Sequence, residues 1–261
     1  MNSSNRPVAL VTGASSGIGA ALSRELARNG HDLVLSARSL APMEALAEEL
    51  RQLGAAASII VADLSQPDGV ASLLRELESR GLEVDVLINN AGLGRFARFD
   101  RTDAVRIDEM MQVNIVALTE LTHALLPAMQ ARRRGKIMLV ASTASFVPCP
   151  NAAVYAATKA YVRSFGEALA EELRGSGVTV NVLCPGTTAT SFFDVAGGTV
   201  NGVQARRMMS AEDVAKIGIA GMLRGERVTV AGLANRVLAF AATHAPHFLT
   251  LPATAKMLAQ D

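Results

Sequence analysis

Short, uninterrupted apolar runs alternate with segments of helical periodicity along nearly the whole chain, and that alternation leaves few folds open. The apolar runs lie at 8–11, 33–35, 58–61, 84–89, 136–141, 178–184 and 227–231. Helical patterns fill the gaps at 17–29, 40–53, 67–80, 102–131, 154–174 and 211–224. A short apolar run without polar alternation is a strand buried on both faces. Strands that alternate with helices build a parallel sheet through right-handed crossovers. The expected fold is therefore α/β: a doubly wound parallel sheet of about seven strands with helices on both faces. No linker or composition break divides the chain, so residues 1–261 read as a single domain.

Charge narrows the partners. Lys and Arg number 25 against 24 Asp and Glu, a balance that argues against nucleic acid or an anionic surface as the main partner. Aromatic residues are 4% and Trp is absent, so stacking platforms for bases are not expected either. The partner expected is a small molecule. Cys149 and Cys184 make no disulfide framework and read as reduced thiols of a cytoplasmic protein. The four histidines are scattered, with Pro246 between His244 and His247, so no metal site is expected. The N-terminus lacks a signal pattern. The uncharged stretches 137–158 and 237–255 are broken by Ser, Thr, Asn and Pro, so no integral membrane segment is expected.

The first strand-to-helix turn reads Thr12-Gly13-Ala14-Ser15-Ser16-Gly17-Ile18-Gly19. Glycines let the backbone turn sharply and approach a ligand, and the free N–H groups at a helix start favour a pyrophosphate. Gly13, Ser15, Ser16, Gly17, Ile18 and Gly19 are the candidate dinucleotide contacts. At the end of the second strand an acidic residue would bind ribose hydroxyls; here Ala37, Arg38 and Ser39 stand instead. A guanidinium suits a 2′-phosphate, so NADP(H) is expected over NAD.

Tyr155 and Lys159 are four apart in a helical stretch and share one face. A tyrosine has a reference pKa of about 10, and a nearby ammonium together with a cationic pyridine ring favours the phenolate. An acidified phenol at Tyr155, with Ser142 near the end of the preceding strand, would exchange a proton with a carbonyl/alcohol pair.

Together with Asp63-Leu64, Asn89-Asn90-Ala91-Gly92, Asn114 and Pro185-Gly186, these motifs resemble the short-chain dehydrogenase/reductases over nearly the whole chain. The resemblance implies a Rossmann-like fold, usually in homodimers or homotetramers. It implies that Asp63 bonds the adenine amino group with Leu64 supporting the ring. Asn90, Ala91 and Gly92 would line the adenosine ribose, while Asn89 braces the sheet. Asn114 would hold a water of a proton relay through Lys159, Ser142 would orient the carbonyl and Tyr155 would protonate it. Lys159 would also hold the nicotinamide ribose. Pro185, Gly186 and Thr188 would pack beside the nicotinamide, with Thr190 bonding its carboxamide. Thr187 and Thr188 stand where many members carry apolar residues. The Asn90-Ala91-Gly92-Leu93-Gly94-Arg95-Phe96, Phe146-Val147-Pro148 and Val230-Ala231-Gly232-Leu233-Ala234-Asn235 segments look like a ketoacyl-reductase-like subgroup.

On the substrate side, Leu93, Phe96, Ser145, Phe146 and Val147 are the expected lining. The loop 187–209 carries Phe192, Phe193, Met208 and Met209 with Gly197 and Gly198, a composition suited to a lid over an apolar substrate or to a packed loop or subunit contact. The tail 232–261 reads as helical and fits a second lid, a dimer surface or a membrane-touching flap. The expected function is NADPH-dependent reduction of an apolar ketone, aldehyde or 3-oxoacyl carbonyl. A non-catalytic NADP-binding sensor or scaffold would not require Asn114, Ser142, Tyr155 and Lys159 together. A sugar-nucleotide epimerase would be longer and use another glycine spacing.

Overall fold

The computed structural model describes residues 6–198 and 208–258. Seven strands form one wholly parallel sheet: β1 (Val8–Thr12), β2 (Asp32–Ala37), β3 (Ala57–Val61), β4 (Val86–Asn89), β5 (Gly135–Val140), β6 (Val178–Cys184) and β9 (Val228–Val230). Their order is β3-β2-β1-β4-β5-β6-β9, so the winding reverses between β1 and β4. The register runs Leu10↔Val34 and Leu10↔Leu87 on either side of β1. Because every strand is parallel, the ends of β1, β4, β5 and β6 all open on the same edge, and ligand sites of such sheets form there.

Strand periodicity sorts the apolar residues into two cores. Ala9, Val11, Leu33, Leu35, Ile88 and Met138 face α1 (Gly17–Arg28), α2 (Leu40–Gln52) and α8 (Ala211–Leu223). Leu10, Val34, Leu87, Ile137, Val180 and Val182 face the other layer, with α3 (Gly69–Ser79), α5 (Leu118–Ala131) and α6 (Ala153–Glu172). The central strands β1, β2, β4 and β5 are buried on both faces almost throughout, which is why their runs lack alternation, whereas the edge strand β3 leaves Val61 exposed.

Three features depart from the periodicity. The helical stretch expected over 102–131 is divided: α4 (Ala104–Met111), a π-helical segment (Gln112–Ala117) and α5 follow one another. Asn114 sits in that wider turn, a form that recurs at functional sites. The loop expected at 187–209 carries structure of its own, with β7 (Thr188–Ala189) pairing β8 (Met209–Ser210) in parallel and α7 (Phe192–Val195) between them. Its middle, 199–207, lies outside the described residues. The tail forms α9 (Leu233–His244) and α10 (His247–Met257). It returns to the body through Thr254, whose hydroxyl donates to the Pro148 carbonyl at 3.1 Å, and through Asn151, whose side-chain amide donates to the Leu258 carbonyl at 3.2 Å. Among the described residues, no helix is long and apolar enough to cross a membrane.

Candidate active site

The glycine loop follows β1 directly. Gly13 (φ +65°) and Gly17 (φ +54°) occupy left-handed backbone that disfavours any side chain. Gly19 is required by contact: a Cβ there would lie 2.2 Å from the Gly13 carbonyl oxygen and 2.5 Å from the Asn90 amide. The start of α1 is left uncapped, since the Ser16 side chain makes no capping bond and the first turn holds no acid. Its N–H groups and helix dipole are thus available to an anion, and the cradle fits a dinucleotide pyrophosphate. Ser15 is half-buried beside it, and Ile18 packs down on the core.

Thr12, which the sequence pattern did not single out, locks this loop to β4. Its hydroxyl donates to the Ile88 carbonyl at 3.3 Å and accepts the Asn90 and Ala91 N–H groups at 3.1 and 3.0 Å. The Asn90 side chain donates to the carbonyls of Thr12 and Gly13 at 2.9 and 3.2 Å, so it braces the loop from below. Asn89 ties β4 to α5 through Thr122 Oγ1 at 2.9 Å. Thr12 and Asn90 lie 78 residues apart, and Asn89 and Thr122 lie 33 apart, so no local signal reveals either pairing.

Arg38 and Ser39 follow β2, and Ser39 precedes α2 as its cap residue. Asp63 accepts the Ser65 N–H and hydroxyl at 3.0 and 2.7 Å. Burial pushes its carboxyl up, but the Ser65 hydrogen bonds and the Arg38 guanidinium outweigh it and hold the group below its usual value. Leu64 is buried next to it.

The other candidates converge at the ends of β5 and β6. Ser142 caps a short 3₁₀ turn (Thr143–Phe146) and accepts the Ala144 N–H at 3.1 Å. Tyr155 and Lys159 project from the first turns of α6, with the Lys159 ammonium 5.9 Å from the Tyr155 ring centroid. Lys159 donates to the Val140 carbonyl at 2.8 Å. The Asn114 side chain is held by three hydrogen bonds: its oxygen accepts the Leu93 N–H at 2.8 Å, and its amide donates to the Leu93 carbonyl and to Thr158 Oγ1, each at 2.9 Å. Thr158 in turn donates to the Tyr155 carbonyl. Asn114 therefore links the β4 exit to α6, and both of its N–H donors are occupied. Gly92 lies between; a Cβ there would stand 3.3 Å from Lys159 Nζ and 3.4 Å from Asn114 Oδ1.

The electrostatics differ from an acidified phenol. Burial pushes the Tyr155 phenol up to about 12, against the opposing hydrogen bond from Ser142. Burial also brings the Lys159 ammonium down to about 8. The cause is packing. The Tyr155 ring lies 5.8 Å from Phe96 and 5.6 Å from Phe192, and it is only 9% exposed. Phe96 stacks on Phe193 at 5.1 Å and donates its N–H to the Ala196 carbonyl, so α7 is folded down over the tyrosine.

Pro185 and Gly186 form the turn after β6. The Pro185 carbonyl accepts the Thr143 N–H at 2.8 Å, and the Gly186 carbonyl accepts the Thr188 hydroxyl at 3.0 Å. Thr190 reaches the glycine loop: its methyl would lie 3.0 Å from a Cβ on Gly17. Residues 7–199 match the family described as short chain dehydrogenase.

The chain belongs to the short-chain dehydrogenase family.

It is 38% identical over 185 residues to the oxidoreductase UcpA of Escherichia coli, covering 70% of this chain and 69% of that protein. It is 32% identical over 214 residues to the 3-oxoacyl-[acyl-carrier-protein] reductase FabG of Haemophilus influenzae, covering 80% and 87%. A short-chain dehydrogenase from Sphingobium yanoikuyae in complex with NADPH superposes with a TM-score of 0.82 at 35% identity, covering 90% of this chain and 91% of that one. The bulky-bulky ketone specific alcohol dehydrogenase from Comamonas testosteroni gives 0.78 at 32%, covering 91% of each. This family member is an NAD(P)-dependent oxidoreductase acting on carbonyl and alcohol groups.

Proposed function

We propose that this short-chain dehydrogenase is an NADPH-dependent reductase of an apolar ketone, aldehyde or 3-oxoacyl carbonyl, reversible as an alcohol dehydrogenase. The observation that carries the reading is the meeting of Ser142, Tyr155 and Lys159 under an aromatic cover at the sheet edge that also bears the glycine loop. The bound dinucleotide supplies the hydride to the carbonyl carbon.

The chain's own residues do the rest. The uncapped start of α1 with Gly13, Ser15, Ser16, Gly17, Ile18 and Gly19 holds the pyrophosphate. Arg38 with Ser39 takes a 2′-phosphate, a reading supported by the Arg38 charge acting on Asp63, the residue read as the adenine contact. Asp63, Leu64, Asn90, Ala91 and Gly92 line the adenosine. Pro185, Gly186, Thr188 and Thr190 flank the nicotinamide, and Lys159 holds its ribose. Ser142 hydrogen-bonds the carbonyl oxygen and Tyr155 donates its proton there. Burial keeps the Tyr155 phenol protonated at neutral pH, the form that a reduction consumes. A water on the relay through Lys159 needs the backbone carbonyl or the remaining lone pair of Asn114, because its N–H donors are occupied. Phe96, Phe192 and Phe193 give the substrate space an apolar wall, and the segment 187–209 acts as its lid. Homodimers or homotetramers fit the outward Val105, Met111, Val116 and Tyr161 of the α4–α6 region.

The test is NADPH oxidation with a carbonyl panel. Tyr155→Phe is expected to cut turnover by about 10³-fold or more while NADPH still binds. Comparable turnover by that variant would overturn the mechanism.

A further inference from the structure

The chain turns from β9 into α9 at Gly232, which takes φ +89° in left-handed backbone. Asn235, three residues on, does not face solvent fully. Its amide donates to the Ala231 carbonyl at 2.7 Å, and the Ala231 N–H donates to the Cys184 carbonyl at 3.2 Å. The start of α9 is thereby stitched to the last residue of β6. From there the Asn235 side chain leans on the next turn: a Cβ on Gly186 would lie 2.3 Å from its amide nitrogen and 2.6 Å from its carbon and oxygen. The amide also lies 4.0 Å from the Met209 sulfur, next to β8, whose N–H at Met209 is bonded to the Thr187 carbonyl. One face of the Pro185–Gly186–Thr187 turn is thus set by Asn235 of α9, and the other by Thr143 and Thr188.

We infer that Asn235 is a positioning residue for the nicotinamide end of the cofactor site, acting through the Pro185–Gly186 turn. The inference rests on the reading above that this turn flanks the nicotinamide. It gives the tail 232–258 a role in the reaction that exposure of its outer face alone does not. No left-handed backbone demands glycine at 186; what a side chain there would meet is the Asn235 amide, held in place by its bond to the Ala231 carbonyl. Gly186→Ala drives a methyl group into the Asn235 amide; removing that amide makes room for it.

The two halves of the cofactor separate this idea from general loss of structure. Asn235→Ala is expected to weaken NADPH binding about fivefold and lower kcat about tenfold, since small misplacements of a reacting group are costly. Binding of 2′,5′-ADP, which reaches only the adenosine end, should stay within about twofold, with a melting temperature lowered by no more than about 4 °C, as for one lost hydrogen bond. Gly186→Ala should weaken NADPH more, and the pair Gly186→Ala with Asn235→Ala should recover to the level of Asn235→Ala, a non-additive cycle. Wild-type NADPH binding and kcat in Asn235→Ala would overturn the inference. So would equal weakening of NADPH and 2′,5′-ADP, or strictly additive effects in the pair. Failure of the wild-type chain to bind 2′,5′-ADP would sink the cofactor reading itself, before any substitution is compared.

Discussion

The glycine loop and the α7 cover lie on the same edge of the sheet, yet they are held by different forces. The loop is a backbone structure. Thr12, Asn90 and Ala91 fasten it by hydrogen bonds, and at Gly19 a neighbouring carbonyl occupies the place of a side chain. The cover is a side-chain structure. Phe96, Phe192 and Phe193 pack on one another and on Tyr155, with the Phe96 N–H to the Ala196 carbonyl tying the two strands of chain together. Hydrogen-bonded backbone has one geometry and suits the invariant part of a cofactor. Aromatic packing is non-directional by comparison, and it can reopen without leaving buried polar groups unpaired.

That contrast predicts graded responses. The largest should come from the loop. Gly19→Val forces branched carbons into the Gly13 carbonyl and the Asn90 amide, and NADPH affinity should fall by more than about 100-fold, as judged by fluorescence titration. Near-normal binding would show that the loop is as adaptable as the cover.

Burial under the cover should be legible in stability. Lys159 is lowered from 10.5 to about 8 in the folded chain, so between those values the unfolded chain holds the extra proton. Stability then rises with pH across that window and is lost as pH falls through about 8. Against Lys159→Met, wild type should gain up to roughly 3 kcal/mol from pH 8 to 10.5 in urea titrations. A flat difference would mean that water reaches the ammonium.

Arg38→Glu tests the adenosine end of the loop region. KM for NADPH should rise about 30-fold while that for NADH changes far less, as expected for a lost charge-assisted pair. Equal changes would contradict the 2′-phosphate assignment. The smallest effect belongs to the cover itself. Phe192→Ala should alter KM for bulky apolar ketones by about three- to fivefold and leave NADPH affinity unchanged. It should also bring the Tyr155 pKa back toward its ordinary value, by admitting water.

Much of the site was legible before the fold was known. Gly13, Gly17 and Gly19 were visible because a turn between strand and helix needs them. Tyr155 and Lys159 were visible because a four-residue spacing stacks two side chains on a helix. The strand runs were found within one or two residues, since burial on both faces leaves no alternation to misread. Other parts had no local signature. The π segment at Asn114 interrupts a pattern that reads as continuous helix, and the bonds that hold the Asn114 side chain run to Leu93 and Thr158 at distant positions. The same holds for Thr12 with Asn90 and for Asn235 with Gly186. The acidified phenol expected from the Tyr-Lys pair gives way to a raised one, because spacing shows the amine but not the aromatic rings that exclude water.

The order of apolar runs, helical faces and glycines by itself determined the parallel sheet, its open edge and the family of chemistry. Those are properties of periodicity and backbone freedom, which a chain carries locally. Only the tertiary structure decided how dry the site is and which remote residues set its turns. Desolvation and side-chain contact depend on segments brought together from across the sequence, and no window of the chain contains both partners.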